Sequence, residues 1–142
     1  MTDAFNLERF VTAQESVLDQ VRRELRDGRK LTHWMWFVFP QLRGLGHSPM
    51  ALRYGIASLE EAQAYVSHPV LGPRLIECTS LVSRVQGRSA YEIFGNPDDR
   101  KFHSSITLFA LAKPGPSVFL EALERFFEGR LDQLTLQKLT RH

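Results

Sequence analysis

Signals that start helices recur along this chain at short intervals, and no strand signal of comparable strength accompanies them. Ser48-Pro49 is a cap followed by a first-turn proline. Ser58 with Glu61 and Ser89 with Glu92 have the spacing of capping boxes. Asn96-Pro97-Asp98-Asp99 joins a cap, a proline and two acids suited to the positive end of a helix dipole. Thr32 and Asp132 stand where two further caps are needed. Apolar residues follow at helical spacing. Leu7, Phe10, Val11, Val17, Leu18, Val21 and Leu25 read as one long first helix. Leu71, Leu75, Cys78, Leu81, Val82 and Val85 form the inner face of another, opened at Pro69. Gly28, Gly87, Gly95 and Gly129 supply stops, and Pro40 ends the aromatic stretch before it. No Asn-Gly or Asp-Gly pair joins two alternating runs. The pattern predicts an all-α fold: a single domain over residues 1–142 with eight or nine helices, several of them short.

Length and charge then limit the function. A chain of 142 residues can build one core. A formal net charge of only +2 gives no field that would draw nucleic acid or an anionic membrane, so neither is expected as a partner. Cys78 stands alone and suits a reducing compartment. The first residues lack the basic and apolar regions of a leader. The longest apolar run, residues 34–39, is far short of the roughly 20 needed to span a bilayer. A cytoplasmic protein is the expectation. The five histidines include no i, i+4 pair, and there is no second cysteine. There is also no phosphate-binding loop of the Walker kind, no G-x-S-x-G elbow and no zinc ribbon. No metal and no cofactor are therefore expected.

The chemistry-bearing residues gather in a few places. In "LTHWMWFVFPQLRGLGHSPM", residues 31–50, Trp34 and Trp36 point about 200° apart on a helix. They cannot both line one pocket wall. Either both are core, or one is core and the other stands at a pocket rim, where its ring stacks on a base or sugar. The turn after them holds Gln41, Arg43, Gly44, Gly46 and Ser48 just before a helix start. Glycines allow close approach, free N–H groups favour an anion, and Arg43 can clamp a phosphate or carboxylate. The bland alternative is a turn needing positive φ and an ordinary Ser cap. Gln14 lies amid Phe10, Val17 and Val21, as a buried amide bonded to a helix end or as a polar group facing a ligand. Asp98, Lys101 and Ser105 open a later helix. Asp98 is either a dipole partner or a carboxylate at a site, and His33 is either a cap or a proton carrier.

Three strings, "HWMWFVFPQLRGLGHSPMALRYGI", "EAQAYVSHPVLGPRL" and "IFGNPDDRKFHSSITLF", closely resemble the bacterial family catalogued as domain of unknown function 1810. The resemblance covers almost the whole chain and implies a mainly helical fold. The family's recurrent strings fall on Gln14, His33, Trp34, Trp36, Gln41, Gly44, Gly46, Ser48, Gly72, Asp98, Lys101 and Ser105. A likeness of architecture, with an aromatic segment preceded by His, also links the chain to the NADAR superfamily of all-α N-glycosidases. It implies a small-molecule enzyme acting on a nucleotide-like or ADP-ribose-like, phosphate-bearing ligand, with hydrolysis of an N-glycosidic bond as its reaction. In that reading Asp98 and His33 are catalytic. Gln14, Trp34, Trp36, Gln41, Arg43, Gly44, Gly46, Ser48, Lys101 and Ser105 bind the ligand. The rival is a non-enzymatic binding or interaction module in which the same residues are core and caps. Convergence of these residues on one pocket would favour the first, and scattering the second.

Overall fold

The computed structural model describes residues 3–140 and is all-α. Among these residues it holds α1 (Glu8–Glu15), α2 (Leu18–Arg26), α3 (Met35–Val38), α4 (Pro49–Tyr54), α5 (Leu59–Ser67), α6 (Leu71–Ser83), α7 (Ala90–Phe94), α8 (Asp98–Ala112), α9 (Val118–Phe127) and α10 (Gln133–Thr140). That is one helix more than the upper figure of eight or nine that the sequence predicts, because the first apolar stripe breaks at Ser16 and Val17. There the Val17 N–H bonds the carbonyl of Gln14, three residues back, and so tightens the turn.

The caps explain most boundaries. Ser48 Oγ accepts the Ala51 N–H, and Asp132 Oδ2 accepts the Thr135 N–H. Ser89 and Glu92 form the full reciprocal box. Ser58 forms half of one, because Glu61 turns to the Ala57 N–H and to Arg9 instead. Two expected caps are different. Thr32 does not cap α3, since its hydroxyl is taken by Glu24 at 2.6 Å and the helix begins behind Trp34. Asn96 does not cap α8. Its side-chain amide donates to Asp99, and Pro97 stands at the N-cap position, with Asp98 as the first helical residue.

Helix α8 is the axis of the molecule. Every residue from 104 to 110 is buried, and α5, α7, α9 and α10 all pack on it. Phe102 on α8 meets Phe39 and Phe94 at ring distances of 5.1 and 4.7 Å, which joins the aromatic segment to α7 and α8. Helix α6 packs on α2, α5 and α9, and α1 packs on α3. The α5–α6 corner depends on Gly72. A Cβ there would stand 2.1 Å from the carbonyl oxygen of Val66, which is backbone and cannot give way. One isolated parallel bridge joins Leu42 to Ile56. The Arg43 N–H bonds Ile56 O at 2.7 Å and the Ile56 N–H bonds Gln41 O at 2.9 Å. This neck gathers the chain on both sides of α4. No described helix is long and apolar enough to cross a membrane.

Candidate functional site

Glu24 on α2 organises the path into the aromatic segment. It is 2% exposed, yet its carboxylate accepts from the N–H groups of Leu31 and Thr32, the Thr32 hydroxyl, the Gln20 amide and the indole N–H of Trp34. Burial opposes its charge. The hydrogen bonds, led by the Thr32 hydroxyl and the Leu31 and Thr32 amides, outweigh that and hold the carboxyl down at about 2. The result pins Trp34 inside the core, 1% exposed. Trp34 therefore offers no face to a ligand, which corrects its expected place in a binding surface. Its nitrogen and its ring are both occupied by protein.

The segment between α2 and α3 also delivers Lys30. Its backbone N–H bonds Ile93 O at 2.7 Å, its ammonium lies 5.1 Å from the Trp34 ring, and it reaches Asp98 Oδ2 at 2.8 Å. Its side chain is only 8% exposed. A second lysine shares the same carboxylate. Lys101, one turn along α8, lies 3.7 Å from Asp98 Oδ1, with its ammonium 5.3 Å from the ring of Trp36. There are thus two lysine–tryptophan pairs on either side of Asp98. The pair of Lys30 and Trp34 is sealed and tightly bonded. The pair of Lys101 and Trp36 is loosely bonded, with Trp36 half-buried.

The open pair borders a shallow crevice lined by Met35, Trp36, Phe39, Gln41, Tyr54 and Lys101 among others, with an internal volume of only about 10 Å³. That is room for about one water, so a ligand here would lie across the mouth of the crevice, over Trp36 and Lys101. Gly46 stands at its edge, since a Cβ there would meet Ala51 Cβ at 2.9 Å and Gln41 Nε2 at 3.3 Å. Gly44 has φ +100°, and a Cβ there would lie 2.9 Å from the Nζ of Lys138. Arg43 is exposed, and its only hydrogen bond from the side chain among the described residues is a long one of 3.4 Å to Gly55 O.

The structure brings Trp36, Gln41 and Lys101 together, with Asp98 behind Lys101 and Gly44, Gly46 and Ser48 on the adjoining turn. Three other candidates lie elsewhere. Gln14 is buried and fully used: it donates to Phe37 O at 2.7 Å and to the Tyr65 hydroxyl at 3.1 Å, and it accepts from Arg74 at 3.3 Å. Burial pushes that Tyr65 hydroxyl far up, so it stays protonated. Gln14 shares no bonding partner with Asp98 and holds the α1, α3, α5 and α6 junction. His33 is exposed at the head of the aromatic segment and does not line the cleft. Ser105 is buried one turn below Lys101, and its hydroxyl has no hydrogen-bond partner among the described residues.

Sequence reasoning missed Glu24, Lys30 and Lys138. Glu24 carried a signal: on a helix, residues 21, 24, 25 and 28 share one face, which places this carboxylate inside the apolar stripe. Lys30 and Lys138 carried none, because they meet their partners only through tertiary contacts. Burial pushes the Cys78 thiol up to about 12, so it stays protonated and unreactive. Among the described residues no three His, Cys, Asp or Glu side chains converge as a metal site would need.

The family described as "Protein of unknown function (DUF1810)" matches residues 4–139. The crystal structure of the conserved hypothetical protein Rv1873 from Mycobacterium tuberculosis aligns with a TM-score of 0.95 at 59% sequence identity, covering 97% of this chain and 99% of that one. No curated protein matches.

Proposed function

We propose that this chain, which belongs to the family described as Protein of unknown function (DUF1810), binds a phosphate-bearing, nucleotide-like or ADP-ribose-like small molecule at the Trp36–Lys101 cleft. The observation that supports this best is the contrast across Asp98. Lys30 is held at 2.8 Å and buried, whereas Lys101 is held at 3.7 Å beside a tryptophan that is only half-buried. A lysine that loosely paired can turn to an incoming oxyanion without abandoning a strong bond. The Trp36 ring beside it suits a base or a sugar. Gln41 adds an amide that can both donate and accept. The crevice itself holds only about 10 Å³, so a ring or a phosphate lies across its mouth and the remainder follows the 44–48 turn. The expected workplace is the cytoplasm, where a lone protonated thiol such as Cys78 stays reduced.

A hydrolytic reading of the same site rests on Asp98. When a ligand oxyanion takes Lys101, Asp98 Oδ1 loses its weaker partner while Oδ2 stays fixed by Lys30. A carboxylate so positioned can orient a water or stabilise positive charge developing on a sugar as an N-glycosidic bond breaks. His33, exposed and outside the cleft lining, takes part in this only if ligand binding draws it in. Calorimetric titration with ADP-ribose tests the binding. Lys101→Met and Trp36→Ala should each weaken it about tenfold or more, consistent with the loss of one charge-assisted bond or one stacking face. Unchanged affinity in both would remove the cleft from consideration. Chromatography for released base separates the two activities: turnover lost in Asp98→Asn with binding kept marks an enzyme, and binding without turnover in the wild type marks a binding module.

A further inference from the structure

We propose that Lys138, on the C-terminal helix, is a second anion-holding residue, and that it makes the turn at residues 44–48 the seat of a second phosphate, so that the ligand carries a diphosphate. The inference rests on the ligand reading above and extends it to residues that reading does not use.

The first support is the contact between Lys138 and Gly44. At φ +100° the Gly44 backbone adopts a conformation that L side chains rarely take. A Cβ built there would stand 2.9 Å from Lys138 Nζ and 3.2 Å from its Cε. The space that a side chain would fill is thus occupied by an ammonium lying against bare backbone.

The second support is that Lys138 meets no counter-charge among the described residues. Among the described residues Lys138 makes no ion pair and no side-chain hydrogen bond, whereas Lys30 and Lys101 both have Asp98. Around it, the N–H groups of Gly44, Gly46 and His47 find no acceptor among the described residues, while their neighbours Arg43 and Leu45 bond to Ile56 and Leu42. Donors on the turn and a cation packed against it, all without partners among the described residues, suit an anion. Arg43, exposed beside them, adds a further positive charge.

The third support is continuity with the cleft. Gly46 abuts Gln41 and Ala51, both of which line the cleft. The two residues from Gly44 to Gly46 span at most about 7 Å of chain. The turn that would seat a second phosphate thus runs directly into the lining that Lys101 shares. The position of Lys138 is also built firmly. Asp132 fixes the start of α10 on α8 by accepting from Ser104 Oγ at 3.1 Å and from the Thr135 hydroxyl at 2.6 Å, and its own N–H donates to Thr107 Oγ1 at 2.9 Å. One helix, α8, thus carries Lys101 and anchors the helix that carries Lys138.

The test uses inorganic pyrophosphate and inorganic phosphate as probes, by calorimetry and by amide resonances of the labelled full chain. The wild type should bind pyrophosphate about tenfold or more tightly than phosphate, with shifts at the Gly44 and Gly46 amides. Lys138→Gln should erase that preference, and Lys138→Arg should restore part of it, the loss being that of one charge-assisted bond. Equal binding of pyrophosphate by Lys138→Gln and the wild type, or shifts confined to Trp36 and Lys101, overturns the inference. Lys101→Gln distinguishes the two failures. If it abolishes phosphate binding while Lys138→Gln changes nothing, the cleft reading stands and only the diphosphate falls. No binding of either anion by the wild type overturns the diphosphate, and quenching of Trp36 fluorescence by adenosine then decides separately whether the cleft takes a base.

Discussion

The indole N–H of Trp34 donates across 2.9 Å to a carboxylate, that of Glu24, which is itself shut away from water. A buried carboxylate with no lysine or arginine in ion-pair distance among the described residues survives only by hydrogen bonds, and Glu24 collects them from Gln20, Leu31, Thr32 and Trp34. Removing the charge should therefore be costly. Glu24→Gln should lower stability by about 2–4 kcal/mol at neutral pH, because a carboxamide cannot accept from so many donors. The sign with pH is fixed by the lowered pKa. Its stabilisation is complete above the ordinary 4.5 and fades as pH falls towards about 2. The gap corresponds to on the order of 3 kcal/mol. Urea unfolding from pH 7 to pH 2 checks this: wild type and Glu24→Gln should differ most at neutral pH and converge in acid.

The two tryptophans should respond differently to the same change. Trp34→Phe removes a bond to a buried charge and leaves a gap, and should lower stability by about 2–3 kcal/mol. Trp36→Phe, half-buried and in contact with Lys101, should cost less than about 1 kcal/mol. Acrylamide should quench the emission that remains in Trp34→Phe far more than that in Trp36→Phe. Equal quenching would contradict the sealed and open assignment.

These two residues also show what a sequence can disclose. A helix through both predicts opposed directions, and one core and one rim tryptophan was among the readings this allowed, although Trp34 stands just outside α3. Which was which depended on Glu24, whose partners Leu31, Thr32 and Trp34 lie beyond the stop at Gly28, where no local rule reaches. The caps at Ser48, Ser89 and Asp132 were legible because a cap is satisfied within its own turn. Thr32 looked equally good, but a carboxylate from another helix claimed its hydroxyl. Gln14 was rightly seen as buried. Its partners Phe37, Tyr65 and Arg74 come from three other parts of the chain, so the sequence could not decide between a ligand-facing amide and a satisfied one.

Gly72 should tolerate no side chain. A methyl group 2.1 Å from Val66 O forces α5 and α6 apart. Gly72→Ala should lose about 2–3 kcal/mol or more, the range of an overpacked core, despite the higher helix propensity of alanine. A thermal melt that matches the wild type would show that the corner yields.

Arg9 and Glu61 form a buried pair at 2.9 Å, with side chains 11% and 3% exposed. Arg9 also donates to the carbonyls of Phe5, Asn6, Arg53 and Gly55. Glu61→Gln leaves the guanidinium those carbonyls but no charge partner. The loss should fall near the lower end of about 3–5 kcal/mol for a broken buried pair. It should change little between low and high salt, since salt screens exposed charges and hardly reaches buried ones. Urea midpoints at two ionic strengths measure both effects.

The neck at Leu42 and Ile56 gives the architecture room to diversify. The chain leaves and returns at one point, so residues 43–53 form an excursion whose ends are tied together, with Leu45 and Met50 packed back on the core and its exposed positions Arg43, His47 and Ser48 facing outward. Tyr54, packed on Phe10 and Phe37 at ring distances of 5.8 and 5.4 Å, anchors its return. The turn with its arginine and glycines lies outside that anchor. Descendants of this chain can therefore vary the exposed positions of this turn to suit a new ligand, while its buried residues and α3, α5 and α8 keep their places, much as an antibody varies its loops on a constant framework.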